Sequence, residues 1–116
     1  MPPSRDSTRL RHMLEHAEEA VDLAAGTTRA SLDANRLLEL ALTRLVQIVG
    51  EAAARVTVET RATLPQVPWP EIVGLRNRLV HGYDAVDLDI LWTIIQHDIP
   101  PLIDALRANL LHRSQS

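Results

Sequence analysis

The chain has 116 residues, twelve basic and fifteen acidic side chains, a net charge of −3 and no cysteine. That length fits one domain, and the missing cysteine excludes disulfides and thiolate metal sites. No apolar run reaches the roughly eighteen residues that a membrane-spanning helix needs, and residues 1–5 hold no apolar core of a signal peptide, so a cytoplasmic protein is expected. Phenylalanine is absent and aromatics make up 3%. Leucine, isoleucine, valine and alanine must therefore fill the core, a composition that favours helices over a sheet. Every basic residue is arginine. The pI near 5.9 argues against broad nucleic-acid binding, so any RNA site requires local positive potential.

Residues 1–6 are expected to fray, with Ser7 or Asp6 capping a first helix. Leu10, Met13, Leu14, Ala17, Val21 and Ala24 form one apolar stripe at helical spacing. His12 and His16 are four apart, a spacing able to hold a metal, but they fall opposite the stripe and are read as surface residues. Gly26-Thr27-Thr28 ends the helix. Ser31 is the expected N-cap of a second helix running to about Arg55. Its apolar positions, from Leu37 and Leu38 through Val49 to Ala53, cover more than half its circumference. This helix is therefore placed at the centre of a bundle, with part of its surface left to a second subunit. Arg44, Glu51 and Arg55 line one edge of it. They form either an exposed ion ladder, worth little, or a support in which Glu51 fixes an arginine near a functional cleft. Gly50 and the alanines at 52–54 permit close helix approach.

Residues 56–68 are a connector. Val56-Thr57-Val58 has no partner with which to make a sheet, and Pro65, Pro68 and Pro70 keep the chain extended. Trp69 either anchors this connector or offers its ring to a base. Pro70 suits a first helical turn, and Glu71 complements the helix dipole there. The spacing of Ile72, Val73, Leu75, Leu79 and Val80 predicts a third helix through His81, stopped by Gly82. A turn follows, Asp87 caps the next helix, and Ile90, Leu91, Ile94 and Ile95 supply its buried side. Pro100-Pro101 breaks or kinks it near His97. Leu102, Ile103, Leu106 and Leu110 pack a final helix, and residues 112–116 are expected to be disordered. His97 and His112 have no partner at ligand spacing. The sum is an all-α, up-and-down bundle of four to five helices in one domain spanning residues 1–116.

Polar and basic groups concentrate at Arg76, Asn77, Arg78, His81, Tyr83 and Asp84. In the predicted helix Asn77 and His81 share a face, and Arg76 reaches the same volume on its long stem. The helix terminus would raise the histidine pKa and the arginines would lower it. Such a set suits a phosphodiester: Arg76 clamps phosphate oxygens and His81 moves a proton on or off a ribose hydroxyl or leaving oxygen. The alternative is that both arginines are solvated charges and His81 is a helix cap.

Arg76, four residues, His81, one residue and Tyr83 resemble the Arg-x(4–6)-His-x-Tyr signature of the HEPN superfamily. The wider string Trp69-Pro70-Glu71-Ile72-Val73-Gly74-Leu75-Arg76-Asn77-Arg78-Leu79-Val80-His81-Gly82-Tyr83 is similar to its HepT branch. So are Val86-Asp87-Leu88-Asp89-Ile90-Leu91-Trp92, Asp98-Ile99-Pro100-Pro101-Leu102 and Gly50-Glu51-Ala52-Ala53. The resemblance implies a HEPN-like, dimeric helical bundle. It implies the toxin of a bacterial or archaeal toxin–antitoxin pair of type VII kind, a metal-independent ribonuclease whose two motifs meet across a homodimer cleft. The implied partner is a minimal nucleotidyltransferase that neutralises the toxin by AMPylation. On this resemblance Arg76 and His81 are the catalytic pair, Asn77 and Arg78 support them, Tyr83 accepts the AMP, and Glu51 stands behind the site. No metal, cofactor, membrane or DNA is expected, and the RNA is a transfer or messenger RNA. Two other readings stay open. One is a non-catalytic helical dimer that docks a nucleotidyltransferase or holds a nucleotide. The other is a plain oligomerisation domain indifferent to Arg76 and His81.

Overall fold

The computed structural model describes residues 5–81 and 85–115, with the side chains of His81 and of residues 112–115 left out. The first helix, α1 (Arg5–Ala24), buries Leu10, Met13, Ala17 and Ala24 of the predicted stripe together with Ala20, while Leu14 and Val21 of that stripe are half-buried against the core. It begins ahead of the expected cap: Asp6 lies inside it, buried, and accepts hydrogen bonds from the Thr57 amide (3.3 Å) and from the hydroxyls of Thr57 (2.5 Å) and Thr60 (2.6 Å). Gly26, at φ +77°, is the one positive-φ residue among those described. It closes the helix, with the Thr27 amide bonded to the Ala24 carbonyl.

The second predicted helix is two. In α2 (Arg29–Ala34) Ser31 is not the N-cap; it sits three residues in, where its hydroxyl accepts the Thr28 amide at 3.0 Å. Asn35 then leaves helical geometry (φ −131°, ψ 97°) and caps α3 (Arg36–Ala54) by accepting the Leu38 amide at 3.1 Å. A polar side chain able to satisfy a free helix-start amide outcompetes continuation of the helix at that point. Helix α3 packs against α1 and α2 and against the later helices α5, α6 and α7, so it is central as expected. Gly50 explains how close the neighbours come: a Cβ there would stand 3.2 Å from the Ile72 carbonyl oxygen and 3.5 Å from Leu75 Cβ. The outer side of α3 leaves Leu37 and Leu40 exposed.

The connector contains a short helix, α4 (Val58–Ala62), capped by Thr57; no strand forms there. Leu64 and Val67 beyond it are buried. Helices α5 (Trp69–Val73) and α6 (Leu75–Leu79) follow, joined through Gly74. Two-residue strands β1 (Val80–His81) and β2 (Ala85–Val86) pair antiparallel, Val80 opposite Val86 and His81 opposite Ala85. Asp87 caps α7 (Leu88–Thr93) through the Asp89 and Ile90 amides. The prolines do not break the chain's last helix. A π turn at Ile94–Asp98, in which the Ile99 amide reaches back to the Ile94 carbonyl, leads into α8 (Ile99–Gln115). Prolines lack the N–H that an α turn needs, and a π turn is a common way to absorb such a defect. Arg107 of α8 pairs with Glu18 of α1, while Asp6 and Arg9 hold the other end of α1 against residues 55–60. The architecture is the predicted all-helical bundle, and no helix among the described residues is long and apolar enough to cross a membrane.

Candidate active site

The motif is carried on a helix that is fully committed on one side. Trp69, Ile72, Leu75 and Leu79 are buried, and Gly50 lets α3 lie against them. Trp69 is an anchor: its indole N–H donates to the Leu64 carbonyl at 3.1 Å, and the Arg61 guanidinium lies 5.5 Å over its ring. Arg61 also donates to the carbonyls of Val56 (3.0 Å) and Ala53 (3.2 Å). It thereby joins the end of α3 to the start of the motif helix.

On the opposite side Arg76 and Asn77 are exposed. Neither side chain meets a hydrogen-bond or ion-pair partner among the described residues, so the Arg76 fork is available for an oxyanion. Arg78 is different. It donates to Asp98 in the π turn, a partly buried pair, so its charge is neutralised and it ties α6 to the C-terminal helix. Arg76 is therefore free to supply local positive potential, whereas Arg78, which the resemblance gives a supporting part beside the catalytic pair, is engaged by Asp98.

The spacing predicts His81 in a last helical turn, and the structure places it otherwise. The helix ends at Leu79. Val80 is extended (φ −86°, ψ 126°) and His81 lies in β1. The cause is local competition: the Leu79 carbonyl accepts the Asp87 amide at 2.8 Å, and two β-branched valines face each other in the ladder. Asn77 and His81 therefore do not share the face of one helix. Arg76 and Asn77 instead lie in α6 and His81 in the strand that follows it. Tyr83, the expected modification site, lies outside the described residues.

Glu51 is exposed on α3, one residue past the glycine that touches the motif helix, and takes a hydrogen bond from Arg44 at 3.4 Å. Arg55 does not join that pair. His12 is exposed, and the His16 ring Nδ1 lies 2.7 Å from the His12 carbonyl. Asp98 was missed by the sequence argument because no spacing rule links residues twenty apart. The only available signal was its place at the head of the Asp-Ile-Pro-Pro-Leu string.

A helical bundle that exposes an arginine and a neighbouring amide a few residues ahead of a strand histidine fits a class, the helical ribonuclease domains of the HEPN superfamily. The model of one family, described as Ribonuclease HepT-like, matches residues 13–108, and the chain belongs to that family. It is 33% identical over 90 residues to a Putative RNase of Methanocaldococcus jannaschii, covering 78% of this chain and 83% of that one. It is 31% identical over 93 residues to the Probable ribonuclease HepT of Thermococcus cleftensis (77% and 84% covered). The Putative RNase of Caldanaerobacter subterraneus subsp. tengcongensis gives 33% over 93 residues (80% and 83%). No solved structure gives a significant match.

Proposed function

We propose that this chain is a metal-independent endoribonuclease whose cleavage site forms where the motifs of two copies meet, and that it acts as the toxin of a toxin–antitoxin pair. The observation that carries the reading is the exposed Arg76–Asn77 pair, unengaged among the described residues, on a helix whose other side is buried and whose following strand holds His81. In the proposed reaction the ribose 2′-oxygen attacks phosphorus, giving up its proton to a base, and the bond from phosphorus to the 5′-oxygen breaks with a proton delivered to the leaving oxygen. His81 serves as the general acid or base. Arg76 steadies the charge that builds on the phosphorane oxygens, and Asn77 orients His81 or the phosphate. The products are a 2′,3′-cyclic phosphate and a 5′-hydroxyl. The exposed Leu37 and Leu40 support a second copy packing on the outer face of α3. Neutralisation follows when a minimal nucleotidyltransferase transfers AMP from ATP to the Tyr83 hydroxyl, releasing pyrophosphate. The RNA is a transfer or messenger RNA of the cytoplasm.

The test uses protein made without its partner and confirmed free of AMP by intact mass, incubated with total tRNA and with messenger RNA in EDTA beside His81→Ala and Arg76→Ala. Fragments ending in cyclic phosphate from the wild type alone support the reading. Intact RNA throughout moves the motif to a binding role, as the target and dock of the nucleotidyltransferase. Cleavage that returns only with Mg²⁺ refutes the metal-independent mechanism.

A further inference from the structure

A cleft of about 460 Å³ opens between the start of α1 and the end of α3, away from the buried face of the motif helix. Its walls carry three arginines (Arg5, Arg9 and Arg55) and one carboxylate, Glu51. Three positive charges less one negative leave two positive charges in a chain whose net charge is −3. Glu51 is already engaged by Arg44 and Arg9 lies beside Asp6, so the two charges left over are those of Arg5 and Arg55. Arg9 has a structural task, donating to the Arg55 carbonyl at 2.8 Å and lying 3.5 Å from Asp6. Arg5 and Arg55 have none: both are exposed, and neither guanidinium has an ion-pair partner among the described residues. Arg5, Arg9 and His12 recur at four and three residues, so they run along one face of α1. Ile48 and Ala52 supply an apolar floor on α3.

The position of the cleft gives these charges a use. Glu51 lines it, and the adjacent Gly50 faces the motif helix so closely that a Cβ there would meet the carbonyl of Ile72 and the side chain of Leu75, the residue before Arg76. The last turns of α3 thus have the motif helix on one side and the cationic cleft on the other. We infer that the cleft is a second phosphate subsite, in which Arg5 and Arg55 hold the sugar–phosphate backbone of an RNA strand beyond the bond being cut. The inference rests on the ribonuclease reading for its ligand class, single-stranded RNA. It supplies what that reading lacks: local positive potential sufficient for a polyanion on an acidic protein. Free guanidinium forks suit phosphate oxygens, and such contacts hold any sequence.

The test measures binding separately from cleavage. In the His81→Ala background, which keeps RNA intact, a fluorescein-labelled single-stranded oligoribonucleotide is titrated by anisotropy across a range of salt. The double variant Arg5→Gln/Arg55→Gln is compared with its parent and with Arg107→Gln, a paired arginine on α8. Each phosphate contact to a single strand contributes about 0.7 to the slope of log K against log salt. Losing two should lower that slope by about 1.4 and weaken binding roughly tenfold at physiological salt, with Arg107→Gln unchanged. Charge reversal at Arg5 alone (Arg5→Glu) should weaken binding in the same direction, which keeps the inference open to test should the double variant fold poorly. An unaltered slope and affinity in a folded double variant overturn the inference. If binding falls while the unmutated protein cuts no RNA, the cleft stands and the nuclease reading fails. If RNA is cut and binding is unmoved, the nuclease reading stands and the cleft does not.

Discussion

The pair between Arg78 and Asp98 joins the motif helix to the π turn, and removing either end tests how far one depends on the other. The side chains are 36% and 25% exposed, between the solvent-exposed pairs worth about 0–1 kcal/mol and the buried ones whose breakage costs about 3–5 kcal/mol. Two unit charges near 4 Å attract by about 4 kcal/mol at an effective dielectric of 20, and partial desolvation of both groups consumes most of that. A coupling of about 1–2 kcal/mol remains. Arg78→Gln and Asp98→Asn should each cost about 1.5 kcal/mol, and the double variant about 2 rather than 3, the shortfall being the interaction energy. For a domain of this size each variant lowers the melting midpoint by roughly 6 °C. The assay is a double-mutant cycle by urea unfolding, with RNA cleavage followed in parallel. Asp98→Asn should also depress turnover more than stability alone explains, because it frees a second positive charge beside Arg76. The exchanged pair Arg78→Asp with Asp98→Arg should recover part of the stability. Strictly additive costs, with no recovery on exchange, would refute the idea that this contact holds the motif helix in place.

Other substitutions follow from the same packing. Asp6→Asn should cost about 1–2 kcal/mol at neutral pH, because one carboxylate receives three hydrogen bonds. The Thr57 hydroxyl, foremost, and the Thr60 hydroxyl hold the Asp6 pKa below its ordinary 3.8. With the folded pKa depressed, that stability is present above the unfolded value and is lost as pH falls through the folded one. The gap between wild type and Asp6→Asn in urea midpoint should therefore close as the pH drops below about 4, and a constant gap would count against it. Gly50→Val should destabilise by about 1–3 kcal/mol, since even a Cβ meets the Ile72 carbonyl at 3.2 Å; Gly50→Ala should cost less, as its helix propensity offsets part of the clash. Asn35→Ala should cost about 1 kcal/mol, read by thermal melting, through loss of the Leu38 cap.

Much of this bundle was legible because its signals are local. The stripe from Leu10 to Ala24, the low bulk around Gly50 and the Asp87 cap each depend on residues within a turn or two of one another; the glycine contact and the cap appear as expected, and the stripe does so at Leu10, Met13, Ala17 and Ala24. The failures also have physical causes. Asn35 lies in a run that continues the helical pattern, so only the cap bond to Leu38 reveals the break. Val80 and His81 satisfy a helical period, yet the Leu79 carbonyl is claimed by Asp87 across a hairpin. Within the site, residue types and spacing singled out Arg76, Asn77 and His81, whereas the division of labour between Arg76 and Arg78 was hidden, because it turns on Asp98 twenty residues away. The cationic cleft was equally invisible, since Arg5 opens α1 and Arg55 follows the end of α3, fifty residues on.

The π turn at Ile94–Asp98 also governs where this fold can change length. Such a turn holds one residue more than an α turn, so its flanks keep their azimuth while the sequence register slips by one position, about 100° on a helical wheel. Inward-facing Leu91 before it and Ile99, Leu102 and Leu106 after it are thus counted on two different registers. Taking one residue out of that turn leaves both flanks aimed as they are. Taking one out of α1 or α3 swings every downstream side chain by a quarter turn or more, out of the core.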